Sequence, residues 1–130
     1  MIKRIVALVL SIQLMLALTF SIAEGISPRA DLVFADANAI LGSGKYVVFT
    51  SSTYDVADSV SITEVQLEQK VNGVWTYVKN LTCPSSQTNC VQYTRTVYYT
   101  DEIGKGTYRI VATFCADGHS ITRTSNERTY

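Results

Sequence analysis

His119 is the only histidine in the chain, so any imidazole chemistry must run through it. Ser120 follows it directly, but neighbours on a strand point to opposite faces. The Asp117-Gly118 pair predicts a tight hairpin turn, which sets Ala116 against His119 and Cys115 against Ser120. Neither a Ser–His nor a Cys–His dyad follows from that register, and His119 reads as a hairpin-end residue. Carboxylates occur in two close pairs, Asp55 with Asp58 and Asp101 with Glu102. Both pairs sit beside turns, where Asp commonly bonds its own backbone. A glycosidase needs two carboxyls facing across a cleft, and a small hydrolase would need a polar pocket gathering Asp55, Asp101 or His119. A calcium site drawn from Asp31, Asp36, Asp55 and Asp58 fits no loop spacing. The chain has no H-E-x-x-H, no G-x-S-x-G and no phosphate loop. No catalytic, cofactor-binding or metal-binding residue is expected, and no cofactor.

The three cysteines, Cys83, Cys90 and Cys115, allow three single bridges and always leave one thiol over. Cys83 and Cys90 bracket the polar segment Pro84-Ser85-Ser86-Gln87-Thr88-Asn89, which favours a Cys83–Cys90 disulfide. A bridge closing so short a loop is worth about 2–3 kcal/mol in the loop-entropy model. Cys115 is then either a small, partly buried strand residue or a thiol that pairs with another chain. A zinc site is not indicated, since there is no C-x-x-C and a single His.

The surface feature that could carry recognition is aromatic. Asn72-Gly73 is a strong signal for a two-residue type I′ hairpin. It sets Val71 against Val74 and Leu67 against Val78, with the apolar residues on one face. Trp75 and Tyr77 then fall on the opposite face beside Glu68 and Lys70. An exposed Trp–Tyr pair suits a sugar ring or a protein partner. Against this, a three-residue bulged loop would invert the register and bury Trp75 in the core, and a domain of this size with a single Trp usually uses it for packing, which favours the buried reading. Asn80-Leu81-Thr82 is an acceptor sequon, meaningful only where the source glycosylates.

The elements that position these residues follow a leader with a different composition. Lys3 and Arg4 precede Ile5–Phe20, an apolar run broken only by Ser11, Gln13 and Thr19. Ser21-Ile22-Ala23 then places small residues for a cut before Glu24. This is the build of a secretory signal peptide, expected as a helix over residues 1–23. The run falls short of the ~20 apolar residues of a membrane span. The C-terminal end is polar and has no anchor signature. The expected product is secreted, with a linker over 24–31, a domain over 32–130 and no stable membrane anchor after cleavage. Loss of Lys3 and Arg4 leaves 9 basic against 11 acidic residues, a net charge of −2. No nucleic-acid partner is expected from that charge.

The chain has 130 residues, 47% of them hydrophobic and 17% charged, enough for one domain. After residue 23 it carries 14 Thr, all eight Tyr and the only Trp, and alternation dominates. Strands are expected over Lys45–Thr53, Ser61–Val71, Val74–Asn80, Cys90–Tyr99, Thr107–Cys115 and His119 to about Asn126. Two short apolar runs precede them, Leu32-Val33-Phe34 and Ala39-Ile40-Leu41. Asp55–Asp58 is either a short helical turn or a loop. Tyr108, after Gly106-Thr107, is either a tyrosine corner or an ordinary core tyrosine. About seven strands with regular turn signals predict an all-β, antiparallel two-sheet sandwich of immunoglobulin-like type.

Two blocks carry a family likeness: Leu67-Glu68-Gln69-Lys70-Val71-Asn72-Gly73-Val74-Trp75, and Gly106-Thr107-Tyr108-Arg109-Ile110-Val111-Ala112-Thr113-Phe114 with Asp117-Gly118-His119. Through them the chain resembles small secreted immunoglobulin-like β-sandwich proteins of unknown function from Gram-positive bacteria. The resemblance implies a sandwich, secretion and a bacterial source, and carries over no catalytic residue. It departs from antibody-type domains in having no cysteine pair placed to bridge sheets around a buried Trp. The expected function is a non-catalytic module that binds a protein or carbohydrate at the cell exterior through Trp75 and Tyr77. The alternatives are a secreted toxin or bacteriocin and, behind it, a small hydrolase or inhibitor.

Overall fold

The computed structural model describes residues 32–130. The expected signal peptide (1–23) and linker (24–31) lie outside the described residues. Seven strands make up the fold: β1 (Phe34–Leu41), β2 (Tyr46–Val71), β3 (Val74–Asn80), β4 (Gln87–Tyr98), β5 (Thr107–Ala116), β6 (His119–Thr124) and β7 (Arg128–Thr129). Every pairing is antiparallel. There is no α-helix among the described residues.

β2 organises the rest. Over Tyr46–Ser52 it pairs with β4, and Val47–Thr53 pairs with β1. Val60 faces both Gln87 of β4 and Ala116 of β5. Beyond it, β2 pairs with β5 as far as Gln69 and with β3 from Gln66 to Val71. β6 and β7 both add to β5. All seven strands therefore belong to one hydrogen-bonded sheet. The two sheets expected from the sequence do not separate, because a single 26-residue strand runs through both halves.

A strand can serve both halves only if it bends. The bend lies between Ser52 and Ala57, where four residues of β2 oppose the single Val91 of β4. Such an insertion leaves backbone groups unpaired and turns the strand. Tyr54 N–H donates to the Val33 carbonyl (3.1 Å) and Thr53 Oγ1 to the Asp55 carbonyl (2.7 Å). Asp117 completes the clamp: its carboxylate accepts the backbone N–H groups of Asp58 (3.2 Å) and Ser59 (3.1 Å), while its own N–H donates to the Ser59 carbonyl (3.2 Å). Asp55–Asp58, expected as a loop or helical turn, is thus the bend inside a strand.

The bend brings inner faces together. In β5, Tyr108, Ile110, Ala112, Phe114 and Ala116 are buried at every second position. Leu41, Val47, Phe49, Val60, Val65 and Leu67 meet them from β1 and β2. Phe49 and Phe114 pack edge to face, with centroids 6.5 Å apart. Where no strand joins β1 to the C-terminal segment, side chains do. Asn126 Oδ1 accepts the Leu41 N–H (2.8 Å), and Asn126 Nδ2 (3.0 Å) and Arg128 Nε (3.2 Å) donate to the Leu41 carbonyl. Ser125 Oγ accepts the Ile110 N–H (2.8 Å).

Both hairpin turns form as the sequence predicts. Asn72 and Gly73 have φ of 51° and 78°, and Asp117 and Gly118 have 49° and 82°, the positive values a type I′ turn needs. Tyr108 is buried and its hydroxyl donates to the Lys105 carbonyl (3.2 Å), the backward bond of a tyrosine corner. Gly106 between them has φ 138°, and a Cβ there would stand 2.5 Å from Gln69 Nε2, so only glycine fits without displacement. β1 takes in Ala39-Ile40-Leu41 and only Phe34 of the first apolar run, with Asp36 and Asn38 pointing outward between buried Phe34, Ala37, Ala39 and Leu41.

Asp117→Ala should lower unfolding stability by about 2–3 kcal/mol, since it orphans two backbone donors and puts alanine at positive φ. Asp117→Asn, which tolerates that φ and keeps one acceptor, should cost less. Urea unfolding of the two variants checks the order, and equal stability with the wild type would contradict the clamp.

Candidate functional site

The Trp75–Tyr77 region is built by the β2–β3 hairpin with β5 alongside. Val71 opposes Val74, Lys70 opposes Trp75 and Glu68 opposes Tyr77. The expected pairing of Leu67 with Val78 does not occur. A bulge between Leu67 and Glu68 leaves Val78 without a partner and puts Lys79 opposite Leu67. Leu67 enters the core, whereas Val71, Val74 and Val78 are 45%, 64% and 42% exposed. The apolar face expected to be covered is open, because β3 extends past the core that covers β2 and β5.

Trp75 and Tyr77 lie on the other face with Glu68 and Lys70, as the two-residue turn implies. Trp75 is half-buried, neither a core residue nor a fully open one. Two cations approach its ring: the Arg109 guanidinium lies 4.4 Å from its centroid and Lys70 Nζ 5.6 Å. Arg109 is fixed in turn by Glu68, with Nε to Oε1 at 3.1 Å and Nη2 to Oε2 at 3.5 Å. Lys70 also reaches Glu127 Oε2 at 3.6 Å. Cation–π contacts of this kind are worth about 0.5–1 kcal/mol each near the surface. Tyr77 is 55% exposed, and its hydroxyl donates to Asn80 Oδ1 (3.1 Å), the asparagine of the sequon. Sequence reasoning missed Arg109, because its contact depends on the Glu68–Arg109 pairing of β2 with β5.

Asp55 and His119 come together with Asp117 at the bend, in a depression of about 250 Å³ that Leu32, Tyr54 and Val56 also line. Asp101 does not belong to it. The lining offers no serine, threonine or cysteine nucleophile, and the Asp117 carboxylate is occupied by two backbone donors. Among the described residues no group of three or more His, Cys, Asp or Glu is placed to hold a metal ion.

The expected Cys83–Cys90 bridge is not formed, and all three cysteines are free thiols. Cys90 is buried on β4 opposite Ala57, with Sγ 3.8 Å from the Gln87 carbonyl. Cys83 sits in the connection before β4, beside Val65 and Glu64 of β2. Tyrosines pin that connection: Tyr99 donates to the Thr82 carbonyl and Tyr93 to the Ser85 carbonyl, both at 2.7 Å. Burial pushes both phenols above their ordinary range. Cys83 is the exposed cysteine; partial desolvation still raises its thiol, against a smaller opposing effect of the Val65 backbone, but its accessibility leaves it the most open of the three to reagents.

No family model matches the chain, and no curated protein matches it.

Thiol labelling of the folded protein should modify Cys83 first, Cys115 more slowly and Cys90 only on unfolding. The intact monomer mass should be unchanged by reductant. A loss of two hydrogens that reductant restores would show that a bridge does form.

Proposed function

We propose that the protein is an exported, non-catalytic binding module that takes up an extended polypeptide along β3. Export rests on the charged, apolar and small-residue sequence of residues 1–23. In this reading the curled sheet serves as an immunoglobulin-like sandwich, its two halves acting as the layers. The observation that carries the binding role is the double exposure of an edge strand. Among the described residues β3 hydrogen-bonds only to β2, and no strand pairs with its far edge. In a two-residue hairpin Val71–Val74 is a hydrogen-bonded pair, so Trp75 and Tyr77 turn their backbone N–H and C=O groups to that edge. The same strand offers Trp75 and Tyr77 on one face and Val74 and Val78 on the other.

Long apolar edges are a liability that proteins blunt with charge or cover. Here Lys79 is the only charged residue of β3, and it sits at the bulge. An added strand would gain ladder hydrogen bonds from the edge and side-chain contacts from both faces. A sugar on Trp75 would first have to displace Arg109 from its ring, which favours a peptide over a glycan at this place.

Selection of eight-residue peptides from a displayed library on the purified protein tests the reading. Enriched peptides should alternate apolar and polar residues and should slow amide exchange at Trp75 and Tyr77. A Val74→Lys, Tyr77→Lys variant with unchanged thermal unfolding should bind them at least about tenfold more weakly, a difference of about 1.4 kcal/mol. Peptides that bind both proteins equally, or that protect another strand, would contradict it.

A further inference from the structure

The outer face of the β1–β2–β4 half has a chemistry of its own. Register places its outward residues in rows across three strands. Asp36, Ser52 and Gln92 form one row; Asn38, Thr50 and Thr94 form the next; Ile40, Val48 and Thr96 form a third. A fourth row pairs Tyr46 with Tyr98. Successive rows are two residues apart, so the face runs roughly 20 Å from Asp36 to the tyrosines.

The two ends differ. At the Asp36 end lies a depression of about 230 Å³ lined by Asp36, Thr50, Ser52, Gln92 and Thr94 with the Ser51 backbone strand between them. Asn38 Nδ2 donates to Asp36 Oδ2 (2.9 Å), which holds the carboxylate in place and leaves its other oxygen open. At the far end Tyr98 is 68% exposed, and its ring centroid is 5.6 Å from that of Tyr46 in a tilted pair. Tyr46 in turn packs against Gly42, where a Cβ would collide with the ring. The missing side chain at Gly42 lets that ring sit close to the turn.

We infer that this face is a binding platform for a neutral oligosaccharide. A sugar chain presents hydroxyls that both donate and accept, alternating with apolar C–H faces. Carboxylate, amide and hydroxyl groups answer the first, and an exposed tyrosine ring answers the second. None of the residues in the four rows is a Lys or Arg, and Asp36 is their one charge. An anionic glycan, a phosphate polymer or a nucleic acid therefore finds no counter-charge and one repulsive group. Burial of large apolar area, the mark of a protein partner's central contact, is absent over the polar rows. The platform lies on the opposite half of the sheet from β3, and its ligand is independent of the polypeptide proposed there.

Affinity electrophoresis of the folded protein through gels cast with xylan, mannan, hydroxyethylcellulose or, as an anionic control, pectate tests the inference. At least one neutral polymer should retard the protein and pectate should not. Tyr98→Ala and Asn38→Ala should each weaken that retardation about tenfold with unchanged thermal unfolding, as loss of one ring or one polar anchor implies. Trp75→Ala should leave it intact, which separates this platform from the β3 edge. Retardation by pectate alone, by no polymer, or equally in wild type, Tyr98→Ala and Asn38→Ala would overturn the proposal.

Discussion

One strand hydrogen-bonds to four others, and the bend that allows this governs the molecule. β2 gives β1 and β4 their ladder in its first half and β3 and β5 theirs in its second. Without a turn at Thr53–Val56 the inner faces could not meet, and Phe49 would not reach Phe114. The bend costs ladder hydrogen bonds, because four residues have only Val91 opposite them. Asp117 offsets part of that cost by accepting two backbone donors from another hairpin. Asn126 does the equivalent at the other seam, where its amide takes the place of a strand neighbour for Leu41. Polar side chains thus close a sheet that backbone pairing alone leaves open.

The same bend sorts the surface. Period-two alternation sends one side of every strand inward, and the curl collects those sides into one core. The outward sides are left as two separate faces of different character. One carries Glu68, Lys70, Arg109 and Trp75 in a charged, cation-stacked cluster. The other carries hydroxyls, amides and two tyrosines with a single carboxylate. β3 belongs fully to neither arrangement: among the described residues it is an edge strand paired with β2 alone, and it exposes Val74 and Val78.

The all-β class, both hairpin turns and the alternation of β5 were legible because each depends on residues close in sequence. Asn72-Gly73 and Asp117-Gly118 take positive φ at low steric cost, and the neighbours then pair by geometry. The two-residue turn placed Trp75 beside Glu68 and Lys70, but the sequence left open whether its ring packs in the core, and in the fold it is half-buried. Bulges were not legible. The shift between Leu67 and Glu68, the four-residue bend at 53–56 and the offset beside Ile62 arise from how strands fit a shared core. No dipeptide encodes them, so the openness of Val78 and the continuity of β2 could not be read. Arg109 and the Asp36-to-Tyr98 face were hidden for a related reason. They depend on which distant strands lie side by side, and alternation within one strand does not say that. The cysteine spacing suggested a bridged loop, but Cys90 is buried in β4, Cys83 is exposed, both thiols are free, and the connection is anchored instead by Tyr93 at Ser85 and Tyr99 at Thr82.

Cross-strand proton contacts at Val60 test most directly whether one bent strand joins the two halves. In solution NMR of the folded protein, Val60 should show backbone contacts to Gln87 on one side and to Ala116 on the other, with the 53–56 amides exchanging faster than their flanks. Contacts to only one of those partners, with β2 broken into two strands of independent sheets, would contradict the account.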